Sequence, residues 1–132
     1  MERTTGSAGS VPARGEIASA IAQEVQSWEG VTAHPHRFGG VEFRARGREL
    51  GHLHGDTLAD LLLPRAAHDE AIADGRAQRH HVLPDSNWVS IYIRRPEQVK
   101  DVVDLLRVAY DRAIKHPLHR RERSEAQDAV ED

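Results

Sequence analysis

The sequence contains no cysteine among its 132 residues. This absence excludes a disulfide framework, a thiolate zinc site and a cysteine nucleophile, so any metal would need histidine and carboxylate ligands. No apolar run approaches the roughly 20 residues that span a bilayer, and residues 1–15 lack the apolar stretch of a secretory signal. We therefore expect a cytoplasmic protein without a membrane partner.

A strong charge of one sign is also missing. The formal net charge is -3 and the sequence pI is about 6.3, and no basic stretch is interleaved with aromatic residues. Surfaces that bind nucleic acids need such basic patches, so we predict no nucleic-acid partner. Histidine is plentiful instead, with nine copies. Because imidazole titrates near neutral pH, it can serve as a base, an acid or a metal ligand.

The length suits one domain with a hydrophobic core of its own. Residues 1–15 are polar and lack periodicity, which predicts a flexible leader, and the mixed charges of residues 118–132 predict a frayed tail. Residues 16–117 are then a single α+β domain. Helical spacing of apolar residues predicts a first helix from Glu16 and a last helix over 96–115. Strands are predicted over 31–37, 41–46, 49–54, 78–83 and 88–93, and short helices over 57–63 and 65–74.

Short hairpin connections and two amphipathic helices predict a two-layer α+β sandwich. Its sheet is mainly antiparallel, has about five strands, and packs against the N- and C-terminal helices. A two-residue hairpin loop at 47–48 would place Phe43 opposite His52 and Val41 opposite His54. In that register the two histidines share a face with apolar residues, which predicts a partly apolar pocket.

The His-Leu-His sequence puts His52 and His54 on one face of a strand, with Cα atoms about 6.6 Å apart, so the pair can chelate a metal. A third ligand would come from His36, His81 or Asp56, and the preferred set is His52, His54 and His81. The alternative is a half-buried pair that binds backbone groups without any functional role.

Arg37 lies between His36 and a glycine pair, where its guanidinium can hold a carboxylate or enolate oxygen. The alternative is a β-turn with solvated charges. His80 and His81 are expected on a strand, where only one of the two can join a pocket. Trp88 either walls a ligand site or fills the core.

The segments HPHRFGGVEFRARGRELGHLHGD and HHVLPDSNWVS together resemble the luciferase-domain family, whose named members are fungal bioluminescence luciferases. The resemblance extends over about residues 16–115. It implies an oxygenase-type reaction in which a hydroxylated pyrone, 3-hydroxyhispidin, reacts with O2, loses CO2 and emits light without an organic cofactor.

Such a reaction needs a base to form an enolate and a group to hold the anion. At the positions of the resemblance, His52 or His54 would be the base, and Arg37 with His36 would hold the anion. The residues expected to bind the substrate are Phe43, His81, Ser86 and Trp88.

We therefore predict a histidine-lined small-molecule site of a cofactor-independent oxygenase. The alternative is a noncatalytic module that binds a divalent metal or another ligand and forms a homodimer through an open sheet edge. In a third hypothesis the protein is a scaffold with incidental histidines.

Overall fold

An antiparallel sheet of six strands forms the centre of the computed structural model, which describes residues 15–118. Its order is β1-β2-β3-β4-β6-β5. The α+β prediction is confirmed, with six strands instead of about five. In chain order the elements are α1 Glu16–Gln26, β1 Thr32–His36, a 3-10 turn Arg37–Gly39, β2 Gly40–Ala45, β3 Arg48–His54, β4 Leu58–Leu62, α2 Arg65–Ala73, β5 Gln78–Arg79, β6 Trp88–Tyr92 and α3 Glu97–Lys115.

The predicted leader and tail lie outside the described residues, apart from residues 15 and 118. None of the helices between these two positions has the length and apolar character needed to cross a membrane.

One face of the sheet carries the hydrophobic core, which α1 and α3 cover. Phe43, Leu53 and Leu61 are fully buried there. Gly51 packs against β4 and α3, and a Cβ atom there would lie 2.6 Å from the Asp60 backbone oxygen, 2.8 Å from Leu61 Cδ2 and 3.1 Å from Leu106 Cδ2. A side chain at this position would therefore clash first with the neighbouring strand.

The opposite face carries a row of polar residues. Glu42 pairs with His52, His52 with Asp60, and Asp60 with Ser90, so the row runs across β2, β3, β4 and β6. All four residues are buried. The two faces of the sheet thus differ sharply in chemistry.

The predicted register of the β2–β3 hairpin was wrong. The loop is Arg46-Gly47, in which both residues have positive φ, and a β-bulge between Phe43 and Arg44 shifts the pairing by one residue. Without the bulge this loop would pair His52 with Val41. With it, His52 pairs with Glu42 instead, so the bulge turns His52 away from the apolar side.

Two predicted elements also differ from the structure. Leu58–Leu62 is not a helix but the strand β4, because it pairs along its length with β3 on one side and β6 on the other. Asp56 does not begin a helix there but accepts a hydrogen bond from the Ala18 backbone N–H of α1, at 2.8 Å. The strand expected over 78–83 is shortened to Gln78–Arg79, after which the chain turns.

Candidate functional site

Asp60, on β4 near the middle of the sheet, has no exposed surface. Its Oδ1 accepts a hydrogen bond from the Ser90 hydroxyl at 2.7 Å. Four imidazole Nε2 atoms surround its Oδ2, at 3.1 Å from His54, 3.2 Å from His81, 3.3 Å from His52 and 3.6 Å from His80. We call these four residues and His36, which stacks on His52, the histidine cluster.

Asp60 is held ionised. Burial alone would raise its pKa, but the hydrogen bonds from His52, His54, His80 and Ser90 outweigh burial and hold the pKa far below its usual range. An ionised carboxylate only accepts hydrogen bonds, so the imidazole nitrogens that bond to it must carry protons.

His52 is buried and contacts two carboxylates, those of Asp60 and Glu49. Its Nδ1 donates to Glu49 Oε2 at 2.7 Å, whereas its Nε2 faces Asp60 outside good hydrogen-bond geometry and is best described as one half of an ion pair. Burial acts to lower the pKa of His52, yet the two carboxylates outweigh it and raise that pKa to about 9. At neutral pH the His52 ring is therefore an imidazolium.

His80 lies beyond the end of β5, where the chain folds over the polar face. Its Nδ1 accepts two backbone N–H groups, from Val82 at 3.1 Å and Leu83 at 2.9 Å. The proton of the neutral ring therefore sits on Nε2, which points to Asp60. The expectation that His80 and His81 face opposite ways was wrong, since their rings stack at 4.4 Å and both Nε2 atoms reach Asp60.

His36 forms a second carboxylate pair at the edge of the cluster. Its Nδ1 lies 2.9 Å from Glu42 Oε1, while Arg44 binds the other oxygen of that carboxylate. Burial acts to raise the pKa of Glu42, but the hydrogen bonds from His36 and Arg44 outweigh burial and lower it. The His36 ring stacks on His52 with centroids 3.8 Å apart.

The cluster is closed on one side and open on the other. Trp88 is buried and its ring centroid lies 5.1 Å from that of His52. The side chains of His36, His54 and His81 are 16%, 26% and 33% exposed, so they form the solvent side. The buried Nε1 of Trp88 and the buried Nε2 atoms of His36 and His52 have no hydrogen-bond partner within the described part of the chain.

The structure brings five of the predicted site residues together and leaves three apart. His36, His52, His54, His81 and Trp88 meet in the cluster. The roles assigned to all eight residues remain predictions.

The other three lie elsewhere. Phe43 is in the core on the other face. Ser86 uses its hydroxyl within the loop, donating to the Leu83 carbonyl at 2.7 Å and accepting from the Trp88 backbone N–H at 3.1 Å. Arg37 begins the exposed 3-10 turn.

Sequence reasoning missed the carboxylates of the site, namely Glu42, Glu49 and Asp60. The only local signal for Asp60 is a charged residue within the apolar run LADLL. On a helix this residue would face solvent, and only as a strand residue between two paired strands is it buried.

Three sets of three residues at this site can each offer ligand atoms that lie within 4.8 Å of one another. The sets are His36, His52 and His54; Asp60, His80 and His81; and His36, Glu42 and Glu49. His81 therefore groups with Asp60 rather than with the two histidines of β3, which differs from the predicted ligand set.

Comparison with known proteins now bears on this cluster. Residues 47–109 match the family model described as Luciferase domain. This confirms the luciferase-domain resemblance over just under half of the chain, including His52, His54, Asp60, His81 and Trp88. The His36 segment precedes the matched luciferase-domain region. No curated protein and no solved structure matches the chain significantly.

Proposed function

We propose that this luciferase-like domain catalyses an oxygenase-type reaction on an enolisable, pyrone-like small molecule. The observation that supports it best is the pair of solvent-accessible imidazoles, His54 and His81, that Asp60 orients. Each donates its Nε2 proton to Asp60 Oδ2, so the Nδ1 atom of each neutral ring has a free lone pair that can accept a proton.

The first chemical step is removal of a proton from the substrate hydroxyl. An imidazole that a buried carboxylate holds in one tautomer is suited to this task, as in catalytic dyads. His52 is not suited to it, because its raised pKa leaves it protonated at neutral pH. The base is therefore His54 or His81, and His52 has another role.

The second requirement is stabilisation of the enolate. His52 brings a buried positive charge to the site, and the adjacent Trp88 has a buried indole N–H without a partner among residues 15–118. Preformed donors in a site shielded from water stabilise a developing oxyanion strongly. The enolate carbon then gives its electron pair to O2, which is reduced as the new carbon–oxygen bond forms, and loss of CO2 follows.

The test uses the full chain, 3-hydroxyhispidin and air, with O2 consumption and light emission as readouts. We expect turnover by the wild type and a loss of about 100-fold or more when the base is replaced in His54→Gln or His81→Gln. His116→Gln, an exposed histidine outside the cluster, is the matched control. Unchanged rates in both cluster variants would refute the assigned base.

A wild type that binds the pyrone without consuming O2 would instead support the noncatalytic ligand-binding module. A wild type that neither binds nor converts it would exclude this substrate.

A further inference from the structure

We infer that His36, His52 and His54 bind one divalent transition-metal ion. These residues can offer three ring nitrogens within 4.8 Å of one another. His36 and His54 are partly exposed, and His52 is buried. The inference goes beyond the oxygenase proposal and can be tested apart from it, because metal binding is measured without substrate. A bound ion would take the place of the His52 imidazolium as the positive charge of the site.

The tautomers of two of these histidines suit a metal. Histidine ligands usually donate the second ring N–H to a carboxylate or a carbonyl, which leaves the other nitrogen for the metal. His52 places Nδ1 2.7 Å from Glu49, and His36 places Nδ1 2.9 Å from Glu42. Both carboxylates are buried, and Arg44 holds that of Glu42. Each ring therefore directs Nε2 away from its carboxylate.

Those Nε2 atoms are the ones that make no hydrogen bond. His36 Nε2 and His52 Nε2 are both buried and have no hydrogen-bond partner within residues 15–118, although His52 Nε2 lies 3.3 Å from Asp60 Oδ2. A buried polar atom that lacks a hydrogen bond costs about 1–3 kcal/mol, and a metal bound by both Nε2 lone pairs would remove that cost. An ion bound at His52 Nε2 replaces the proton on that nitrogen.

The geometry requires a modest rearrangement. His52 and His54 already meet edge to face, with centroids 4.9 Å apart and planes at 90°. His36 and His52 are stacked, with planes at 18°, so their rings must rotate about the Cβ–Cγ bonds for the Nε2 lone pairs to converge. The His36 side chain is 16% exposed.

The other two sets are poorer metal sites despite their similar spacing. In the set of Asp60, His80 and His81, His80 uses Nδ1 to accept two backbone N–H groups, so its Nε2 carries a proton and offers no lone pair. In the set of His36, Glu42 and Glu49, the two carboxylates already bind Arg44, His36 and His52. The hydrogen bonds therefore favour the three-histidine set, although distance alone treats all three sets as equal.

Three imidazoles suit zinc, nickel, copper or iron rather than calcium or magnesium, which prefer oxygen ligands. Three-histidine zinc sites keep a fourth position open for water or substrate. With His54 bound to the metal, His81 is the imidazole left to act as the base. Asp60, 3.3 Å from His52 Nε2, places a negative charge beside the ion.

The test is isothermal titration of the EDTA-stripped full chain with Zn2+, checked by metal analysis after dialysis. We expect one ion per chain in the wild type. His36→Gln, His52→Gln and His54→Gln each remove a ligand and should lower the affinity by about 100-fold or more. Glu42→Gln and Glu49→Gln keep all three ligands but lose the outer carboxylates, and should lower it by about 10–100-fold.

His80→Gln is the matched control within the cluster, and His116→Gln is the control for surface histidines. Both should bind like the wild type. Absence of binding by the wild type would overturn the inference, and so would equal binding by His52→Gln or a loss confined to His80→Gln. Circular dichroism checks folding, and if His52→Gln does not fold, His54→Gln decides, because His54 belongs only to the three-histidine set.

The outcome separates this inference from the proposed function. Pyrone turnover by a wild type that binds no metal would overturn the metal site and leave the oxygenase. Metal binding without turnover would support the metal site and overturn the oxygenase reaction on this pyrone.

Discussion

Replacement of Asp60 by asparagine should destabilise the metal-free protein strongly. Asparagine keeps the shape of the side chain and can still accept a hydrogen bond from Ser90. It loses the negative charge that faces the His52 imidazolium and that orients His54 and His81. The substitution therefore tests whether this carboxylate balances the charge of the cluster.

The expected loss of unfolding free energy depends on which partners of the His52 imidazolium remain in the variant. Removing one partner of a buried ion pair costs about 3–5 kcal/mol when the other charge is left uncompensated. Glu49 still lies 2.7 Å from His52, so some compensation persists. We therefore expect a loss near the lower end, about 3 kcal/mol of unfolding free energy.

The assay is urea unfolding with EDTA at pH 6, below the ordinary pKa of 6.5 for His52. Asp104→Asn is the control, because its 2.7 Å pair with Lys100 is exposed and solvent screens it, so no measurable loss is expected. A loss below about 1 kcal/mol for Asp60→Asn would refute the reasoning, since that is the size of one ordinary hydrogen bond.

Three further predictions concern stability. Because folding raises the pKa of His52 from 6.5 to about 9, its stabilising contribution is complete below pH 6.5 and is lost as the pH rises through about 9. Urea unfolding in EDTA should show this fall in the unfolding free energy of the wild type. A similar fall in His52→Gln would contradict the assignment to His52. Gly51→Ala should cost about 2–3 kcal/mol, because the new Cβ would lie 2.8 Å from Leu61 Cδ2, and an unchanged melting temperature would argue against that contact. Asp56→Ala removes the acceptor for the Ala18 N–H and should cost about 1 kcal/mol in urea unfolding, whereas no change would show that water replaces this cap.

The helices that flank the sheet could be predicted from the sequence because their signal is local. Apolar residues recur at helical spacing in both, and the structure confirms α1 over Glu16–Gln26 and α3 over Glu97–Lys115. Four of the strands, β1, β2, β3 and β6, were also predicted from local signals. Strand β4 was not, since its sequence LADLL lacks alternation and becomes a strand by pairing with β3 and β6.

The sequence by itself determined that the chain is rich in histidine, that His52 and His54 share a strand face, and that the chain resembles the luciferase-domain family. Only the tertiary structure decided that this strand face lies on the polar side of the sheet, because of the β2–β3 bulge, and that Asp60 lies at the centre of that side. It also decided which imidazole nitrogens are occupied, through Glu42, Glu49 and the backbone after His80. The physical reason is that strand register and hydrogen-bond partners depend on residues distant in the chain, which no local spacing specifies.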